Sequence, residues 1–518
     1  MLLSGILPNK TQIITTNTIF QVQLLNDNTT YIITKPIDLN NDTLLIPKNC
    51  TIKFRRKGRI SNGLLVGDNT RIEGLSKIRF SNIQFDGSFI TSNIRAGAFG
   101  HYPNDTELLH AMFDLLFFSS NQSELTLEAG KYYNVYCDNL PYAHAIFEYY
   151  GKNHKSIIGQ GAIINDLRTR SQIGYKSYDG VFLFSGCNNI SIIGLNYQNL
   201  NDDYFEIKDG NSVKFAAGIE NQIGYVGTSF ILLQDDCFNF IIESDIIGAR
   251  YGIKSGDYSM FWLCGEFGIR NSVFRINAKR TGYPVAIEVG DSLNIFVHSE
   301  EHHRAAYLCG VTNSRISVEA KDIYIAPFHC LLSDTHFSKG DKKRPSYKSC
   351  SNVDLTITEL GSTIATNGDC YCVGIQTYNS EPFFGRHIPL VWENITIKAR
   401  KQIGSSKVGL FSLSRNSPSS HFDPLSIEDV FKNFHLYGED PFETDQYGLR
   451  IKVNEFAKYE NFRIILNAPY SSAIVDNGND YEFDFSSSQM ACLSYSGRIK
   501  YNKTQKVNKI KSSIKQYE

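Results

Sequence analysis

One short phrase keeps returning in this chain and limits what it can fold into: an asparagine followed by a strand of alternating apolar residues. It stands at Asn189, Asn239, Asn294, Asn352, Asn394, Asn433 and Asn461, with looser copies at Asn49, Asn69, Asn82, Asn271 and Asn313. Asparagine tolerates the left-handed backbone region, and its amide can bond to its own turn, so it suits a corner entering a strand. The alternation that follows sends one set of side chains inward and the other outward. A unit of one or two strands cannot bury its apolar face alone, so repetition implies stacking. The intervals of 23 residues from Asn271 to Asn294 and 19 from Asn294 to Asn313 fit coils of about 20 residues, and longer intervals read as double coils. The expectation is an all-β parallel solenoid.

At 518 residues, core burial is not limiting, and a solenoid grows along one axis instead of dividing into globular domains. The 52 basic and 53 acidic residues give no basic excess, which argues against a nucleic-acid partner. No run approaches the ~18 apolar residues of a membrane span, so membrane insertion is not expected. The start, Met1-Leu-Leu-Ser-Gly-Ile-Leu-Pro, lacks a basic region ahead of its short apolar stretch, and no signal peptide is read there. Eleven cysteines lack a disulfide-framework spacing, and several sit beside strand phrases (Cys50, Cys187, Cys237, Cys350). They read as reduced, buried thiols. Cys370 and Cys372 are too close for an ordinary zinc pair, so no metal or other cofactor is expected.

The period changes once. Asn104-Asp-Thr-Glu107 is a capping box, and Leu108, Leu109, Met112, Phe113, Leu115 and Leu116 follow at helical spacing, which predicts a helix over 105–118. The organisation expected is a β-rich module over 1–95, a stacked body over 96–502 and a basic tail over 503–518. Insertions at 335–349 and 414–428 are expected to emerge at turns.

The stretch from Asn104-Asp-Thr-Glu-Leu-Leu-His-Ala to Leu125-Thr-Leu-Glu-Ala-Gly-Lys-Tyr-Tyr resembles the opening of pectate-lyase-like right-handed β-helices, where a short helix caps the solenoid mouth. That superfamily holds polysaccharide lyases, polygalacturonase-like hydrolases and phage tailspikes. The resemblance implies a polysaccharide partner, a homotrimer in the tailspike case, and a virion or extracellular location with other tail proteins as neighbours. A secreted bacterial lyase or hydrolase and a non-catalytic adhesin are the alternatives, so turnover itself stays open.

Gln234-Asp235-Asp236-Cys237 resembles the paired-aspartate phrase of polygalacturonase-like hydrolases, and Asn201-Asp202-Asp203 their preceding aspartate motif. Such carboxylates could serve as general acid and as base activating water. The family's downstream Gly-His-Gly has no histidine here. Its counterpart is Tyr251-Gly-Ile-Lys254, which makes Lys254 the fifth catalytic candidate beside Asp202, Asp203, Asp235 and Asp236. The plain alternative is aspartates shaping turns.

Binding candidates follow from charge and aromaticity. His298, Glu300 and His302 would share one face of an extended strand, with Glu301 and His303 on the other. Arg250, Lys254, Arg270, Arg275, Lys279 and Arg280 recur within one or two coils, and a basic groove of that kind would suit an anionic polysaccharide. Tyrosines in turns, Tyr204 and Tyr258 among them, offer faces for sugar rings.

Overall fold

The computed structural model describes residues 10–14, 24–136, 145–168, 180–200, 206–207, 213–214, 229–255, 268–323, 328–333, 335–336, 347–362, 370–377, 390–402, 408–415, 430–439, 447–452, 458–467, 472–476 and 492–496. Near the N-terminus, Thr29–Ile33 (β1) pairs with Thr51–Phe54 (β2), which pairs with the end of Arg59–Glu73 (β3). Strand β3 pairs along most of its length with Phe80–Ile90 (β4). All these pairings are parallel, so the first segment already stacks as coils.

The predicted helix is present as α1, Asp105–Phe117. Asn104 caps it by accepting the Glu107 backbone N–H at 2.9 Å. The Glu107 carboxylate accepts from the Asn104 side-chain amide at 3.4 Å, where the sequence had suggested a bond to the backbone. Leu109, Met112, Phe113 and Leu116 are fully buried, and the Phe117 ring stacks on Tyr149 with centroids 3.9 Å apart.

Beyond the helix the strands alternate between two stacks. Ala145–Tyr150 (β5) and Asn153–Asp166 (β6) come first, then Gly180–Ser185 (β7) and Asn188–Gln198 (β8). Ser229–Gln234 (β9), Phe238–Ile247 (β10), Tyr251–Ser255 (β11) and Val273–Lys279 (β12) follow. Tyr283–Asp291 (β13) and Asn294–His302 (β14) lead into Ala306–Ile323 (β15), which runs through both stacks. Phe328–Ser333 (β16), Ser351–Glu359 (β17), Cys370–Thr377 (β18), Val391–Lys401 (β19), Val408–Arg415 (β20) and Val430–Glu439 (β21) continue the order.

Stack I is β5, β7, β9, β11, β13, the start of β15, β16, β18 and β20, each parallel to the next. Stack II is β6, β8, β10, β12, β14, the end of β15, β17, β19 and β21, likewise parallel throughout. This is a parallel, mostly β architecture of the β-helix type. Its interior is made of rows. Ile157, Ile192, Ile242, Phe274, Ile295, Ile316, Leu355, Ile397 and Leu436 lie in unbroken register up stack II, none more than 3% exposed. Each contributes about 1.5–3 kcal/mol of burial, and large apolar side chains fall above one another. One apolar core runs from Ile14 to Leu436, continuous across residue 95.

The recurring asparagines occupy the corners as their chemistry requires. Asn49, Asn69, Asn82, Asn189, Asn239, Asn271, Asn313, Asn352, Asn394 and Asn433 all have φ between +49° and +58°. Their amides also bond from coil to coil: Asn433 donates to Asn394 at 3.0 Å, Asn394 to Asn352 and Asn352 to Asn313 at 2.9 Å, and Asn313 to Asp291 at 2.7 Å. Two sequence expectations change. Asn294 is not a corner; Ser292, at φ +56°, takes that place, and Asn294 begins the strand. The spacings of 39 and 42 residues are single coils lengthened between strands, since the amides they separate are directly bonded.

Candidate functional site

Asp202, Asp203, Tyr204 and Tyr258 lie outside the described residues, as does the 503–518 segment. Asp235 and Asp236 form the turn between β9 and β10, both at φ +48°. Asp235 is exposed and its Oδ2 accepts the Ser185 hydroxyl at 2.6 Å, so this pair is built into a corner. Beside it the Tyr150 hydroxyl donates to Glu148 at 2.7 Å. Burial, then Glu148 and Asp235, push that phenol up to about 12.

Arg250 and Lys254 are each only 1% exposed. Their charged ends lie 4.9 and 5.1 Å from the Tyr251 ring, which stacks on Tyr283 at 5.0 Å. They belong to buried packing on stack I, and the open basic groove expected from the sequence does not include them. Of the other cations in that set, three are matched by carboxylates: Arg275 by Glu243, Lys279 by Glu300 at 3.3 Å, and Arg280 by Glu301 at 2.9 Å. The Arg270 guanidinium lies 5.9 Å from the Phe238 ring.

His298 and Glu300 face outward from β14 on stack II, as alternation predicts. His302 does not join them. Glu301 enters the left-handed region at φ +55°, which breaks the alternation and turns His302 into the core. There its Nε2 meets His329 Nδ1 at 2.8 Å, and burial holds His302 well below the usual range and His329 down at about 3. The structure thus places Asp235 and Asp236 at a corner between the stacks, Arg250 and Lys254 on stack I, and Arg280, His298 and Glu300 on stack II.

The outer face of stack II carries a groove of about 670 Å³ crossing β6, β8, β10, β12, β14 and β15. At about 4.8 Å per strand step, six strands span roughly 24 Å, room for a short chain of sugar rings. Two outward rows line it in register. One is Ile193, Glu243, Arg275, Phe296 and Ser317. The other passes through Asp245, Asn277, His298 and Glu319. Gly161 and Gly194, both at positive φ, bare the backbone at one end, where β6 and β8 shift register. Such bulges recur beside binding sites.

Polar side chains in the groove are held by one another. Asn277 Nδ2 donates to Asp245 Oδ1 at 2.8 Å, while the Asp245 N–H donates to Asn196 Oδ1 at 3.0 Å. His298 Nδ1 and Glu319 Oε2 are 3.0 Å apart. Phe296 remains 44% exposed, with the Arg275 guanidinium 5.5 Å from its ring. An apolar ring face among amide, carboxylate and imidazole groups is what a sugar needs: C–H stacking below and hydroxyl partners around.

Sequence reasoning missed Glu243, Asp245, Asn277, Phe296 and Glu319, although a signal was present. They are the fourth or sixth residue after the corner residues Asn239, Asn271, Ser292 and Asn313. Among the described residues, no group of three or more His, Cys, Asp or Glu is placed to hold a metal ion.

No protein-family model matches the chain, and no curated protein matches it. The solved structures that align with it include the catalytic domain of a GH87 α-1,3-glucanase in complex with nigerose, and a single-substitution variant of that domain with the same ligand. Each has 10% identity and a TM-score of 0.34. The alignments cover 96% and 92% of this chain, and 69% and 64% of the respective glucanase chains. At such distance the architecture stands on the chain's own strand pairings.

Proposed function

We propose that this chain is a right-handed parallel β-helix that binds polysaccharide along the groove of stack II, in the manner of a trimeric phage tailspike acting on a host surface glycan. The observation that carries the glycan reading is Phe296, exposed in a multi-strand groove beside amide, carboxylate and imidazole side chains already held in place. Preorganised polar groups around an exposed ring cost little to order when a sugar arrives. The virion reading draws support from the cysteines: Cys50, Cys187, Cys237 and Cys330 are buried thiols outside any disulfide, as in proteins made in a reducing compartment.

Depolymerisation has an observation of its own. Glu243 and Asp245 project from the same face of β10 with their Cα atoms about 7 Å apart by strand rise, a spacing that lets the two carboxylates stand at the separation inverting hydrolases use. In the test, purified protein meets a panel of bacterial capsular and plant polysaccharides while binding, reducing ends and unsaturated-uronate absorbance are followed. Binding that falls about tenfold or more in Phe296→Ala with unchanged circular dichroism is expected. Binding indifferent to that substitution rejects the groove. Reducing ends without unsaturation that vanish in Asp245→Asn identify hydrolysis.

A further inference from the structure

We propose that the groove selects an uncharged glycan and turns away uronate chains, an inference that rests on the groove being the glycan site. Its lining holds three carboxylates, Glu243, Asp245 and Glu319, against a single guanidinium, that of Arg275. Arg275 is already joined to Glu243. The cations just outside are committed too: Lys279 to Glu300 and Arg280 to Glu301, while Lys321 stands beside Glu300 in register. Glu319 faces the His298 imidazole, and Asp245, among the described residues, has the neutral amide of Asn277 as its side-chain partner and no cation.

A uronate entering here would set its carboxylate among these like charges in the groove, with no uncommitted cation among the described lining residues to receive it, and such juxtapositions are unfavourable. A neutral sugar gains instead. Its hydroxyls donate to carboxylate oxygens, which are strong acceptors, and its ring rests on Phe296. The specificity written into the lining is therefore acceptor-rich, and Asp245 is the residue that sets it.

The experiment measures binding of full-length protein to size-matched neutral oligosaccharides and to oligogalacturonates, over about 50–500 mM NaCl. Neutral ligands should bind at least about tenfold tighter and change less than about twofold with salt. Asp245→Lys should raise oligogalacturonate affinity about tenfold, and Asp245→Asn, with its near-isosteric side chain, should raise it less without disturbing the fold. Tighter oligogalacturonate binding that salt weakens would overturn the inference while leaving a polysaccharide ligand standing. Failure to bind either class would remove the polysaccharide reading and this inference with it.

Discussion

A single asparagine does two jobs at each corner. Its backbone accepts a left-handed turn, and its amide hands a hydrogen bond to the coil below, so Asn352 both receives from Asn394 and donates to Asn313. Replacing it with alanine removes two side-chain hydrogen bonds and puts a less tolerant residue at φ +53°. Asn352→Ala should lower stability by about 2–3 kcal/mol, read as a drop in the urea midpoint; Asn352→Gly should lose less, because the backbone cost disappears. Equal losses would mean that the turn carries none of the effect. This periodic residue was legible in the sequence because the backbone demand recurs at every coil. Ser292 escaped notice because serine can fill the same corner without repeating the letter.

At the scale of elements, α1 packs within the continuous core and carries an unusual carboxyl. Asp114 accepts the Tyr149 hydroxyl at 3.3 Å, and burial pushes it up to about 7, against the partial relief given by Tyr149 and Lys152. Between about pH 4 and 7 the folded chain therefore keeps a proton that the unfolded chain releases, so this group's contribution to stability is greatest in acid and declines as pH rises through that window. Asp114→Asn should flatten that part of the pH–stability profile and raise the melting temperature at pH 7, measured by thermal unfolding across pH. A profile unchanged by the substitution would show that the carboxyl titrates normally. The helix itself was readable from its capping box and apolar spacing; the acid on its buried side was not, because its partner Tyr149 arrives from a strand far along the chain.

For the whole molecule, the decisive relation is register between coils. Any one strand phrase reveals which residues face outward, and His298 and Glu300 were found that way. Which outward residues become neighbours depends on coil length, and the lengths vary from 20 to 50 residues between bonded corner asparagines. Counting from each corner residue instead of along the chain aligns Glu243, Arg275, Phe296 and Ser317 in one row. The basic cluster read from sequence dissolved for the same reason: residues close in the chain divide between the two stacks, Arg250 and Lys254 buried beside Tyr251 on one and Arg275 on the face of the other. The measurement that tests the account most directly is a crystal structure of the protein grown with a polysaccharide fragment it retains. The account predicts sugar density along the outer face of β10 to β15 with a ring over Phe296; density confined to the β5–β7–β9 face near Asp235, with the groove empty, would contradict it.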